Sequence, residues 1–206
     1  MKEFRLNKVF KVIIIVLILA IFSGTYTIGH NPLLVINKSD NDTIIYNDTT
    51  EILHKVNIDS LLLNEITMYI QKISPKSHNQ LPKYLMNAGL EYNIDICFMM
   101  AQTQIETNFG TTGIGKEFSK KSLFGVMRSY KYSTYEEAIT DYCKILLKNY
   151  LGKGKTEQHL MKKYVTHGGA RYASNPRYEY ELTNAYNMII NKTQIQSLQK
   201  QLNDIL

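Results

Sequence analysis

The chain has 206 residues, enough for one ordinary domain with a tail or anchor and too few for two full cores. Its formal net charge is +6, but Lys2, Arg5, Lys8 and Lys11 against Glu3 supply half of that before residue 12. The remainder lacks the Lys/Arg clustering of a nucleic-acid groove, and the scattered His residues and two Cys have no zinc spacing, so no nucleic acid, metal or other cofactor is expected.

After those cations comes VIIIVLILAIF at residues 12–22, then the small and polar SGTYTIG. A basic stretch before such a run reads as a secretory h-region or a short anchor. Extension through Val9, Phe10 and Ile28 nearly spans a bilayer and no clean Ala-x-Ala site follows, so an uncleaved membrane anchor over residues 9–28 is expected, with a cleaved signal peptide as the alternative. Residues 1–30 form this segment, and either reading puts the rest of the chain outside the cytoplasm. Residues 31–60, with NKSDNDTIIYNDTTE, carry few large apolar groups and read as a flexible tether before a folded domain over 61–206. Cys97 and Cys143 sit in apolar helical patterns and read as two buried thiols, with a disulfide between the two helices as the alternative in an oxidising compartment.

From residue 61 the apolar spacing is helical almost throughout. Leu62, Ile66, Tyr69, Ile70 and Ile73 trace one stripe that Pro75 ends, and a second helix is predicted from about Leu81 to Tyr92. NIDICFMMAQTQIETNF supplies a third, largely buried helix in which Ile94, Phe98, Ala101 and Ile105 recur at intervals of three and four, with Gly110 suited to its C-terminal cap. STYEEAITDYCKILLKNYL opens with Ser133 or Thr134 as N-cap and Glu136 or Glu137 three residues on, and Ala138, Tyr142, Ile145, Leu146 and Tyr150 form its inner face. Another helix should follow Thr156, and one should start near Pro176, whose fixed φ suits a first helical turn. Ile195, Leu198, Leu202 and Ile205 could seed a coiled coil, but two heptads are marginal alone, and packing on the chain's own domain is expected. Strand patterns are nearly absent, so the domain is all-α.

One carboxylate stands out. Glu106 falls in the last turn of the third helix, one residue step from the Ile105 stripe, at the edge of the buried face. The negative end of the helix dipole and apolar neighbours such as Met99 and Phe109 both oppose its ionisation, as a general acid near neutrality requires. A surface glutamate ending an ordinary helix would look the same in this fragment.

The rest of the chain separates the two. AQTQIETNFG at 101–110, SLFGV at 122–126, YEEAITDYCKILLKNYL at 135–151 and RYASNPRYEYEL at 171–182 occur in that order. Together they resemble the glucosaminidases of glycoside hydrolase family 73. That family's pattern is an Ala-Gln pair before a helix-ending Glu-Ser-x-x-Gly, then Asn-Leu-Phe-Gly, a helix ending in tyrosine, and Tyr-Ala-Thr-Asp-Pro-x-Tyr. The resemblance covers about residues 80–190 and implies a lysozyme-like helical fold and cleavage of peptidoglycan glycan strands on the reducing side of N-acetylglucosamine. It implies Glu106 as the catalytic acid and Tyr172 as the tyrosine flanking the reacting sugar. Gln102, Ser122, Phe124, Asn175 and Tyr178 fall on the substrate-binding positions. The residue types suit this: sugar C–H faces pack on aromatic rings, and amides such as Asn175 can hold hydroxyl or acetamido groups. Core packing is the competing role for Phe124.

Thr107, Asn175 and Ser122 stand where the family pattern has Ser, Asp and Asn. Between Val126 and Tyr135 only MRSYKYST occupies the place where many relatives carry a small β-lobe with a second carboxylate, so that lobe is expected to be reduced or absent. Glycosidases ordinarily use two carboxylates. Glu136 or Glu137 could be the second, although helix capping already explains them. The favoured scheme has the substrate's own 2-acetamido oxygen attack while Glu106 protonates the leaving oxygen and Tyr172 steadies the developing charge. A lytic transglycosylase, which also needs one helix-ending glutamate, is the nearest rival, and an inactive membrane-tethered wall-binding protein is the non-enzymatic one. A bacterial enzyme, a toxin and a phage lysin would read alike.

Overall fold

The computed structural model describes residues 42–116, 122–125, 132–162, 173 and 175–205, with side chains from residue 51 onward. Residues 9–28 of the expected anchor lie outside these, and among the described residues no helix is long and apolar enough to cross a membrane.

Seven α-helices make up the described part, joined by turns and two short 3-10 segments, and no strand occurs among the described residues. They are α1 (Asp42–Ile73), α2 (Leu81–Glu91), α3 (Ile96–Thr107), α4 (Tyr135–Asn149), α5 (Glu157–Met161), α6 (Tyr178–Lys192) and α7 (Ile195–Ile205). The all-α class stands. Whether a β-lobe is missing falls on residues 126–131, which lie outside the described set.

Residues 42–60 of the segment expected as a tether form the start of α1. Low apolar content predicts poor burial, but it does not forbid a helix propagating backwards from a packed segment, because each added residue gains a hydrogen bond without a new nucleation cost. The burial pattern shows the same division. Ile52, Leu53 and Val56 are exposed, whereas Ile58, Leu62, Ile66 and Ile70 at four-residue spacing are buried.

Helix α3 is the centre of the domain. Ile96 through Thr103 are all buried, so the helix is covered on every side rather than along one stripe, and its main partner is α6, with α2 and α7 on other flanks. Asp95 caps it by accepting from the Cys97 amide at 2.7 Å and the Phe98 amide at 3.3 Å. The same carboxylate accepts from the Tyr186 hydroxyl at 2.7 Å and the Gln196 amide at 3.3 Å, so one side chain ties α3 to α6 and α7. Gln199 on α7 completes that end, accepting from Ile96 N at 2.9 Å and donating to Ile94 O at 2.8 Å. Helix α7 therefore packs on its own domain, with Ile195, Leu198 and Leu202 buried. Cys97 and Cys143 are free, buried thiols, and the disulfide alternative is excluded.

Two helix ends differ from expectation. The cap of α3 is Asn108, left-handed at φ 46°, and not Gly110. Asn takes this region at small cost because its short amide bonds locally, here donating to the Thr111 hydroxyl at 3.1 Å. Phe109 (φ 56°) and Gly110 (φ 79°) continue the left-handed run, so Gly110 serves a longer reversal than a simple cap. Pro176 lies before α6 rather than in its first turn, because Asn175 Oδ1 accepts from Arg177 N at 2.9 Å and Asn175 O accepts from Tyr178 N at 3.1 Å. This Asx-type turn over Pro176 delays the helix to Tyr178.

At the start of α4, Thr134 accepts from Glu137 N at 3.0 Å and the Glu137 carboxylate accepts from Ser133 N at 2.7 Å. Glu137 is thereby engaged in capping.

Candidate active site

Helix α3 ends at the floor of a cleft of about 750 Å³, lined by Glu106, Gln102, Ile105, Phe124, Gly125, Tyr142, Ile145, Leu146, Tyr150, Ala173, Asn175, Tyr178 and Glu181. Such a volume is within the range of about 300–1,000 Å³ common for small-ligand sites. Glu106 is partly buried in this wall, and its carboxyl faces the backbone of Gly125. A Cβ built on Gly125 would come within 2.9 Å of the carboxyl carbon, and Gly125 has φ +65°, so a side chain here would be both crowded and strained. Position 125 therefore presents bare backbone to the acid.

Thr107, the residue after Glu106, fixes that approach. Its hydroxyl donates to Leu123 O at 2.8 Å and accepts from Gly110 N at 3.1 Å. The side chain is fully buried, so the loop carrying Phe124 and Gly125 is held to the helix that carries Glu106. On the far side of the turn, Ser74 donates to Asn108 O at 3.0 Å, tying the end of α1 to the α3 terminus.

A second set of bonds shapes the cleft wall. The Tyr142 hydroxyl donates to Gln102 Oε1, and Gln102 Nε2 donates to the Tyr178 hydroxyl at 3.0 Å. All three side chains are buried, so α4, α3 and α6 are joined through one amide whose two ends are both used. The Phe124 ring stacks on Tyr142 at a centroid distance of 3.7 Å and an interplanar angle of 6°. Phe124 is thus both packed and cleft-lining, which unites the two roles expected for it.

Of the residues expected from sequence, Glu106, Gln102, Phe124, Asn175 and Tyr178 meet in this cleft. Ser122 is 3 % exposed and is not among the described lining residues. Tyr172 lies outside the described residues. Neither Glu136 nor Glu137 lines the cleft. Sequence reading placed Gly125 and Thr107 in the motifs but gave neither a role in the site, because the Thr107 bond to Leu123 and the approach of Gly125 to Glu106 cross a loop. It missed Glu181, which reads as an ordinary first-turn acid of α6. Among the described lining residues the two glutamates are the only charged side chains, so the described lining is acidic although the chain as a whole is basic.

Residues 82–191 match the family described as Mannosyl-glycoprotein endo-beta-N-acetylglucosaminidase, more than half of the chain and all of the described cleft. The chain belongs to the glucosaminidase family. No curated protein matches it closely enough to add a nearer relative. The glucosaminidase is therefore a glycoside hydrolase of the endo-beta-N-acetylglucosaminidase type, acting on a glycan such as peptidoglycan. Its cleft suits that chemistry, since it combines a carboxyl at a helix end, aromatic walls for sugar C–H faces and amides for acetamido groups.

Proposed function

We propose that this glucosaminidase cuts the β-1,4 bond on the reducing side of N-acetylglucosamine in peptidoglycan, with Glu106 as the general acid. The observation that carries the reading is the meeting of the Glu106 carboxyl with the bare backbone of Gly125 in a cleft walled by Phe124, Tyr142, Tyr150 and Tyr178. A carboxyl at a helix end, set beside bare backbone in a cleft with aromatic walls, is placed to reach a leaving-group oxygen, as a general acid must.

In this reading Gln102 and Tyr178 keep the wall rigid, Asn175 offers an amide proton to the sugar, and Tyr172 flanks the reacting ring. The 2-acetamido oxygen supplies the nucleophile, because the capping of α4 engages Glu137 away from the cleft. The lysozyme-like assignment and the export of the domain belong to the same proposal. The latter is supported by the basic start and the apolar run over residues 9–28, which would hold the enzyme at the membrane, facing the wall.

Glu106→Gln tests the acid's role. The variant should fold as the parent does and lose at least roughly 100-fold in wall cleavage, the usual scale for removing a general acid. Retained activity removes Glu106 from the role. Mass spectrometry of the fragments decides the bond: a reducing N-acetylglucosamine end supports the proposal, a 1,6-anhydromuramic acid end makes the protein a lytic transglycosylase, and binding without release makes it a wall-binding protein.

A further inference from the structure

Attack by the acetamido oxygen turns the amide into an oxazolinium ring, and its N–H then carries positive charge. A cleft that uses this route needs an acceptor for that N–H, preferably an anion. Glu106 cannot fill the place while it serves as the proton donor. Of the other described lining residues, only Glu181 carries a charge.

The surroundings of Glu181 tie it to the same centre. Gln102 lies one helical turn before Glu106 on α3, and Tyr178 lies one turn before Glu181 on α6. The Gln102–Tyr178 bond of 3.0 Å locks those two turns together, so the backbone positions of Glu106 and Glu181 each lie about one turn, roughly 5.4 Å of axial rise, from residues joined by a single buried contact. Asn175 Nδ2 approaches Glu181 Oε2 at 3.5 Å, and its Oδ1 is held by Arg177 N, which directs the amide protons toward the carboxylate. The resemblance has Asp at position 175. An Asp beside Glu181 would set two like charges together, and the Asn found here removes that repulsion. Glu179 of the same turn is buried and does not line the cleft, so helix-dipole complementation by an acidic first turn does not require Glu181 to be where it is.

We infer that Glu181 is the second catalytic carboxylate, accepting the substrate's acetamido N–H and stabilising the oxazolinium ion that forms beside it. The assignment rests on the function proposed above. In the first step Glu106 gives its proton to the glycosidic oxygen as the C1–O bond breaks, and the acetamido oxygen bonds to C1. Glu181 stays ionised and faces the charged N–H. In the second step water adds to C1 and loses a proton to the Glu106 carboxylate, while the ring C1–O bond returns its electron pair to the amide. The anomeric configuration is retained.

The full-length protein is assayed on purified glycan strands, with Glu181→Gln, Glu181→Ala and Glu181→Asp beside the parent and Glu136→Gln as a control. Glu181 is exposed, so all should melt with the parent. The Gln and Ala variants should lose roughly 100-fold in kcat with KM changed by less than about threefold, and Asp should recover part of the loss. Proton NMR of the first product from the parent should show the β anomer, and N-acetylglucosamine thiazoline, a mimic of the cyclic intermediate, should bind the parent at least about tenfold more tightly than Glu181→Gln. A Gln variant within threefold of the parent overturns the role of Glu181 alone, and an initial α anomer overturns it together with the acetamido nucleophile. Failure of the parent to release reducing N-acetylglucosamine overturns the underlying function instead.

Discussion

The carboxyl of Glu106 lies against the Cα of Gly125, two residues separated by eighteen others in sequence and brought together by the Thr107 hydroxyl bonded to Leu123 O at 2.8 Å. The acid is therefore positioned by backbone on a neighbouring loop as much as by its own helix.

Gly125→Ala follows from that contact. The new methyl would meet the carboxyl carbon at 2.9 Å from a backbone at φ +65°. Stability should fall by about 1–3 kcal/mol, the usual cost of a left-handed non-glycine residue in an imposed conformation. Activity should fall further than stability explains, because the carboxyl must turn aside. Denaturant melts and kcat on wall fragments, measured on the same preparation, separate the two losses.

Thr107→Val removes a hydroxyl while keeping its shape. Leu123 O and Gly110 N would lose their partner in a fully buried site, at about 1–3 kcal/mol. Thr107→Ser retains the hydroxyl and should restore most of both stability and rate. Equal behaviour of the Val and Ser variants in urea titration would show that the loop is held by packing alone.

Tyr142→Phe leaves Gln102 Oε1 without the hydroxyl donor that α4 supplies. The ring stack on Phe124 survives, so the effect should be confined to the hydrogen-bond chain, about 1–3 kcal/mol in stability. A crystal structure of the variant should show the Gln102 amide rotated and the Tyr178 hydroxyl released.

Alkaline pH should unfold the domain earlier than surface charge alone would. Burial, with Glu91 adding to it, pushes the Cys143 thiol from 9.0 up to about 12, and burial raises Cys97 and Tyr186 as well, with Asp95 reinforcing both. In each case the folded chain keeps a proton that the unfolded chain gives up. The contribution is intact below about pH 9 and is lost as pH rises from there toward the folded values. Melting midpoints between pH 8 and 11 should fall, and Cys143→Ala should flatten the slope. At pH 8 neither thiol should react with an aromatic disulfide reagent until denaturant is added.

Much of the helical framework was legible because local chemistry dictates it. The stripe of Leu62, Ile66 and Ile70, the Thr134 cap with Glu137, and the return of Ile195, Leu198 and Leu202 to the core all follow from spacing and capping. Glu106, Gln102, Phe124, Asn175 and Tyr178 were legible through motif resemblance, and the cleft collects all five. The start of α1 at Asp42 was not, since helix propagation into a polar segment depends on the packed turns that follow.

What the chain alone determined, then, was the set of helices and the residue types able to handle a sugar, for these depend on periodicities of three and four and on side-chain chemistry. Only the tertiary structure decided which of them share a cleft: Gly125 against Glu106, Gln102 between Tyr142 and Tyr178, and Glu181 on the same wall as Asn175. All but the last of those relations cross nineteen residues or more, and they arise from how buried helices and one threonine hydroxyl close the loops between them, which no local pattern encodes.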